Sequence, residues 1–174
     1  SIARGSSLIQ NYAPGHDCRS TLSVLEALGV ELERGDRWVR LTGKGLRGME
    51  EPDSVLYAGN SGSTVRMLMG VLCGQTFDSR LDGDQSLRRR PMKRVIDPLA
   101  RMGAWIEPDQ NVGETLPLTF HGGRDLNGIE YQPPVASAQV KTAILLAGLY
   151  ASGESRVNEP LPSRNPTEIA LARF

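Results

Sequence analysis

Four short stretches of this chain carry residue types that hold small anions. The first is Gly59-Asn60-Ser61-Gly62-Ser63-Thr64-Val65-Arg66. Its glycines and asparagine permit a tight turn and close approach of the main chain. Ser61, Ser63 and Thr64 are N-cap types for a helix running from Val65 to about Cys73. A helix start offers unpaired N–H groups and the positive end of the dipole, which together suit an anion. Gly62 has no Cβ, so a ligand can rest directly on the backbone there. The second stretch is Leu87 to Arg94, in which Arg88, Arg89 and Arg90 precede a helix expected to start at Pro91. Cations at a helix N-terminus oppose its dipole by about 0.3–1 kcal/mol each, a cost that an anionic ligand offsets. The rigid fork of arginine grips carboxylate or phosphate at two points.

The third stretch is Pro133 to Lys141. Its prolines stiffen the approach, Ser137 caps a helix, and Gln139 falls in the first turn. Ser163 and Arg164 form a fourth, shorter pair in a turn. Taken singly, each is also what a plain capped helix or a solvated basic turn looks like. Together they share one preference, because every one of them suits an anion, and they occupy related helix starts and turns.

Composition restricts the ligand. The 174 residues include twenty basic and twenty acidic side chains, so no net charge favours nucleic acid or a membrane surface. No aromatic platform accompanies the arginines, as single-strand binding would need. No segment is long and apolar enough to span a bilayer, and no signal peptide opens the chain. Cys18 and Cys73 read as small apolar residues of a reducing, cytoplasmic compartment, with no disulfide expected. His16 and His121 lack ligand-like spacing, so no metal site is expected. Aromatic content of 5% leaves the core to Leu, Val, Ile, Ala and Met.

The elements that must position these stretches follow a repeat. Alternation predicts a strand over Ser6–Tyr12, and Asp17 is the expected N-cap of a helix carrying Leu22, Val24, Leu25 and Leu28. Gly29 ends it, and 30–33 with 38–41 form a hairpin. A helix over Thr64–Gly74, a strand over Thr76–Leu81, a turn at 82–84 and a helix over Pro91–Met102 follow. Strands at 104–107 and 116–120 come next, then a helix over Ser137–Ala151, a strand over 154–159 and a last helix from Thr167 to Phe174. The segments TLSVLEALGVELE, VIDPLARMGAWIE and TEIALARF align with one another. The period of about 74 residues marks internal duplication. Units of approximately 1–58, 59–132 and 133–174 are expected. The first lacks its opening helix and the third stops midway, so the reading is a single lobe, incomplete at both ends.

GNSGSTVRMLMGVLCGQ, LDGDQSLRRRPMKRVIDPLARMGA, PPVASAQVKTAILLAGLYASGE and EPLPSR, with CRSTLSVLEALGVELE, resemble the EPSP synthases (5-enolpyruvylshikimate-3-phosphate synthases) in order and over nearly the whole chain. The resemblance implies an α/β (α+β) fold of repeated βαβαββ units with helices packed inside the sheets, one lobe of the enolpyruvyl transferase fold. It implies transfer of the enolpyruvyl group of phosphoenolpyruvate to the 5-hydroxyl of shikimate-3-phosphate, without metal or cofactor. By position, Asn60, Gly62, Ser63, Arg90 and Gln139 match the phosphoenolpyruvate side, and Gly62 matches the glycine at which an added methyl excludes glyphosate. Ser1, Ser137, Ala138, Gln139, Ser163 and Arg164 match the shikimate-3-phosphate side. The family's lysine and arginine beside the serine matched by Ser1 are absent, and Asn165-Pro166 replace its usual Asp-His. The family's catalytic Asp, Glu and Lys belong to a second lobe, so no catalytic residue is expected in this chain and a complementary lobe is an expected partner. The alternatives are a non-catalytic anion-binding remnant and a transferase for another acceptor. Apolar surface left by the first helix makes self-association a further expectation.

Overall fold

A computed structural model describes residues 1–109 and 113–173. Nine strands and five helices alternate along them: β1 (Arg4–Gln10), α1 (His16–Ala27), β2 (Glu31–Arg34), β3 (Trp38–Lys44), β4 (Leu56–Tyr57), α2 (Gly62–Leu72), β5 (Ser79–Asp82), α3 (Lys93–Arg101), β6 (Trp105–Pro108), β7 (Leu118–His121), β8 (Glu130–Tyr131), α4 (Ala138–Gly148), β9 (Arg156–Val157) and α5 (Pro166–Leu171). The class is α/β, as the sequence implied.

Each of the two larger sheets places its last strand between earlier ones. The first sheet has the order β1-β3-β2, and the second the order β4-β5-β7-β6. The β2–β3 hairpin is antiparallel, with Leu32 opposite Leu41. In contrast, β4 runs parallel to β5, and β8 runs parallel to β9. A parallel pair cannot be joined by a tight turn and needs a crossover. Here α2 and α4 supply the two crossovers, and they pack on each other. That explains their composition: α2 is buried from Gly62 to Leu72 apart from Ser63 and Met67. A helix with no wet face must be apolar nearly all round. One contiguous core joins Val24 and Leu28 of α1, Leu68 and Met69 of α2, Val95 and Leu99 of α3, Phe120 of β7 and Ile144 of α4.

Several expectations need correction. Asp17 does not cap α1. Gly15 holds that position without a side-chain bond, and Asp17 lies in the first turn, where its charge suits the dipole. Pro91 does not open α3, which starts at Lys93 after Met92. The arginine run forms a separate 3-10 turn over Leu87–Arg89 instead. The arginines therefore do not press on the N-terminus of α3. The strand expected at 76–81 is displaced to Ser79–Asp82, because Asp82 continues the ladder instead of turning. In β1 the alternation does not produce a buried face, since Leu8 and Ile9 are both exposed. The short strand β4 carried no alternation long enough to read. The last helix ends at Leu171 within the described residues, and Phe174 lies outside them.

Candidate anion-binding site

Two strand ends and two helix starts set the site. β4 ends at Tyr57 and α2 begins at Gly62, while β8 ends at Tyr131 and α4 begins at Ala138. Arg66 Nη1 in α2 donates to Gln139 Oε1 in α4 at 3.0 Å. One turn along, Gly70 faces Ala143. The two pairs keep the same sequence separation, so the helices run in the same direction with their N-termini side by side.

The first turn of α2 is capped by Ser61, whose Oγ accepts from the Thr64 N–H at 3.3 Å. The Gly62 N–H donates to the Asn60 carbonyl at 3.0 Å. Of this turn, the Ser63 N–H is the one left without a bond among the described residues. In α4 the Ser137 Oγ accepts from the Val140 N–H at 3.5 Å. Capping uses a lone pair, so the Ser137 hydroxyl proton stays available to a ligand. The Ala138 and Gln139 N–H groups are likewise unpaired among the described residues. Spare amides therefore exist, but fewer than a bare helix end would offer.

Gly62 lies between two guanidinium groups. A Cβ there would sit 3.1 Å from Arg66 Nη1 and 3.1 Å from Arg90 Nη1. Arg90 is aimed by a relay in which its Nη2 donates to Asn60 Oδ1 at 2.6 Å and Asn60 Nδ2 donates to Asp84 Oδ2 at 2.7 Å. Asp84 Oδ1 also accepts from the N–H of Leu87, the first residue of the 3-10 turn, at 2.8 Å. The Asn60 bond first, and then the Leu87 amide, hold the Asp84 carboxyl below its ordinary range. Arg88 is turned elsewhere, with both Nε and Nη2 donating to Asp82, and Arg89 is exposed. Of the three arginines, Arg90 is thus the one at Gly62.

The remaining candidates are distributed differently. Ser163 is tied to α4 at one remove: its N–H donates to Glu159 Oε2 at 3.2 Å, and that oxygen accepts from Lys141 Nζ at 2.8 Å. Arg164 is exposed on the loop before α5, and no described contact ties its side chain to the Gly62 cluster. Ser1 borders a separate apolar cleft of about 680 Å³ with Ile9, Leu41, Met67 and Leu146. Its carbonyl accepts from the Lys44 N–H at 3.0 Å. Among the described residues, no group of three or more His, Cys, Asp or Glu side chains is disposed to hold a metal ion, and no helix is long and apolar enough to cross a membrane.

Arg66 and Asp84 were not singled out as site residues from sequence. The signal for Arg66 was present: a charged residue one turn after Gly62 in a helix otherwise built from Val65, Leu68, Met69 and Leu72. Such a charge is almost never fully buried without a use.

Fold and site together define an α/β unit in which two buried helices run in the same direction with their N-termini side by side, and Arg66 and Arg90 meet at Gly62. The family model described as EPSP synthase (3-phosphoshikimate 1-carboxyvinyltransferase) matches residues 1–174, and the chain belongs to that family. It is 52% identical over 175 residues to the 3-phosphoshikimate 1-carboxyvinyltransferase of Alkalilimnicola ehrlichii, covering 99% of this chain and 39% of that protein. It is 52% identical over 174 residues to the protein of the same name from Solibacter usitatus, covering 100% of this chain and 40% of the relative. The solved EPSP synthase of Acinetobacter baumannii superposes with a TM-score of 0.96 at 44% identity, covering 100% of this chain and 39% of that one. The chain thus spans about 40% of the length of the curated relatives it matches.

Proposed function

We propose that this chain is the substrate-gripping part of a 3-phosphoshikimate 1-carboxyvinyltransferase of the shikimate pathway. The reaction moves the enolpyruvyl group of phosphoenolpyruvate to the 5-hydroxyl of shikimate-3-phosphate. Arg66 and Arg90 flanking the bare main chain at Gly62 carry the reading, because two forks 3.1 Å from an unoccupied Cβ position suit a compact anion with several oxygens. Asn60 aims Arg90, the Ser63 amide adds a donor, and Gln139 closes the far side. Ser137 and the amides of Ala138 and Gln139 receive shikimate-3-phosphate, with Ser163 and Arg164 giving further contacts.

Addition and elimination across the enol double bond need a proton donor and acceptor within hydrogen-bond reach. The Gly62 cluster is cationic and amidic, with Asp84 committed to Asn60 and Leu87. General acid–base groups come instead from a complementary lobe. The units at about 1–58, 59–132 and 133–174 belong to one lobe with a cytoplasmic location. The apolar cleft beside Ser1 suits a covering partner, either further polypeptide of the same enzyme or a second copy. Sedimentation of the chain with and without the complementary lobe separates these.

Calorimetric titration of shikimate-3-phosphate and phosphoenolpyruvate tests the grip, and phosphate release after mixing with the complementary lobe tests the chemistry. Saturable binding and restored turnover are expected. Binding without turnover in the mixture favours a non-catalytic remnant. Preference for a nucleotide sugar over shikimate-3-phosphate would assign another acceptor.

A further inference from the structure

Arg66 has an unusual environment for a charged side chain. It is 7% exposed, and its Nε is buried with no hydrogen-bond partner. No carboxylate pairs with it among the described residues. Burial first, and then Arg94 and Arg90, press its guanidinium toward the neutral form. A buried cation with like charges nearby is costly unless something else is gained.

What it does contact is the amide of Gln139. Arg66 Nη1 lies 3.0 Å from the Gln139 oxygen. A guanidinium has five N–H donors and no acceptor, so an amide facing it must present its oxygen. The two amide orientations are nearly isosteric and are distinguished by such bonds. With Oε1 held by Arg66, Gln139 Nε2 points away. It donates to no described residue, and it is not among the buried unpartnered atoms.

We infer that Arg66 is a positioning residue: it locks the Gln139 amide with its NH2 donors turned to the anion held beside Gly62 and Arg90. The inference rests on the anion-pocket reading above. Without Arg66 the amide rotates freely and offers the anion a carbonyl oxygen in part of the population. Arg66 therefore acts on binding in two ways, through its own fork beside Gly62 and through the Gln139 amide it orients, and the second makes the two residues energetically coupled.

The test is a double-mutant cycle on the 174-residue chain, with phosphoenolpyruvate as the calorimetric probe. Gln139→Ala is expected to weaken binding about tenfold, the scale of one charge-assisted hydrogen bond, and Arg66→Met by more, because it loses the fork as well as the lock. The double variant is expected to be no more than about twofold weaker than Arg66→Met alone, because without the lock the Gln139 amide contributes little. Arg66→Lys keeps a donor toward Oε1 and is expected to recover most of the affinity even if Arg66→Met folds poorly. Additive losses in the double variant, or wild-type affinity in Arg66→Met, would overturn the inference. The ligand-free readout is the Gln139 side-chain amide by NMR: rigid in the native chain and mobile in Arg66→Met. A mobile amide in the native chain that still binds phosphoenolpyruvate removes the positioning role and leaves the pocket. A rigid amide in a chain that binds no phosphoenolpyruvate removes the pocket reading, and with it the purpose of the lock.

Discussion

Gly70 of α2 lies so close to Ala143 of α4 that a methyl on Gly70 would stand 2.1 Å from the Ala143 carbonyl oxygen. The neighbour is backbone, so it cannot swing aside as a side-chain tip could. Gly70→Ala must therefore force the helices apart. The loss of packing is expected to destabilise the chain by about 1–3 kcal/mol, measured by denaturant unfolding. The same displacement pulls Arg66 from Gln139, so affinity for phosphoenolpyruvate falls as well. A variant of unchanged stability would show that the helices do not meet at this contact.

Gly62→Ala has a different expected outcome. The nearest atoms to its new methyl are the flexible ends of Arg66 and Arg90, which can shift by a few tenths of an ångström, and then Leu87 at an ordinary contact distance. Stability should change little, while affinity for phosphoenolpyruvate falls roughly tenfold because both forks are displaced from a shared position. Glyphosate competition should weaken in the same titration. Lost stability with unchanged affinity would place the anion away from Gly62.

The legible part of this site was the part that lies within one run of sequence. Ser61, Ser63 and Thr64 announced the α2 cap, and Ser137 announced that of α4, because a cap bonds residues two or three positions away. Arg66 was not legible as a site residue, because its partner lies 73 residues along the chain. The three arginines looked equivalent. Only packing decides that Arg88 pairs with Asp82 while Arg90 reaches Gly62. Pro91 marked the next helix to within two residues, an ordinary error for a boundary. The alternation over Ser6–Tyr12 predicted a strand, found at Arg4–Gln10, but burial depends on what covers the strand, which alternation does not encode.

Lys141 joins α4 to the loop before α5 and to α5 itself through Glu159 at 2.8 Å and Glu168 at 2.7 Å. Burial pushes the Glu159 carboxyl up, but bonds from Lys141 and Ser163 outweigh it and hold the group at about 2. A carboxyl held below its ordinary value contributes stability above that ordinary value, and the contribution is lost as pH falls. Wild-type stability is therefore expected to decline from about pH 4.5 toward about pH 2. Lys141→Met strands two carboxylates and should cost about 3 kcal/mol at neutral pH. It should also flatten that acid slope. An unchanged slope in unfolding measured against pH would show that the bridge does not set the Glu159 titration.

His121 is expected to give the opposite pH dependence. Its Nδ1 lies 2.9 Å from Asp78 Oδ2 and its Nε2 lies 3.1 Å from Glu107 Oε2. The ring stacks on Trp105 with centroids 4.0 Å apart, and Arg124 sits over the Trp105 ring. The bond to Glu107 raises the imidazole pKa most, burial opposes it, and Asp78 adds to the rise. A histidine raised in the folded state stabilises fully below its unfolded value of about 6.5 and loses that contribution as pH climbs through the folded value. The two carboxylates are mostly exposed, so solvent screens the pair and the effect is modest. The stability difference between wild type and His121→Gln should be larger at pH 6 than at pH 9. The imidazole of the native chain should titrate above 6.5 by NMR. Titration at or below that value would mean that the carboxylates do not hold the ring, and the pH dependence should then vanish with it.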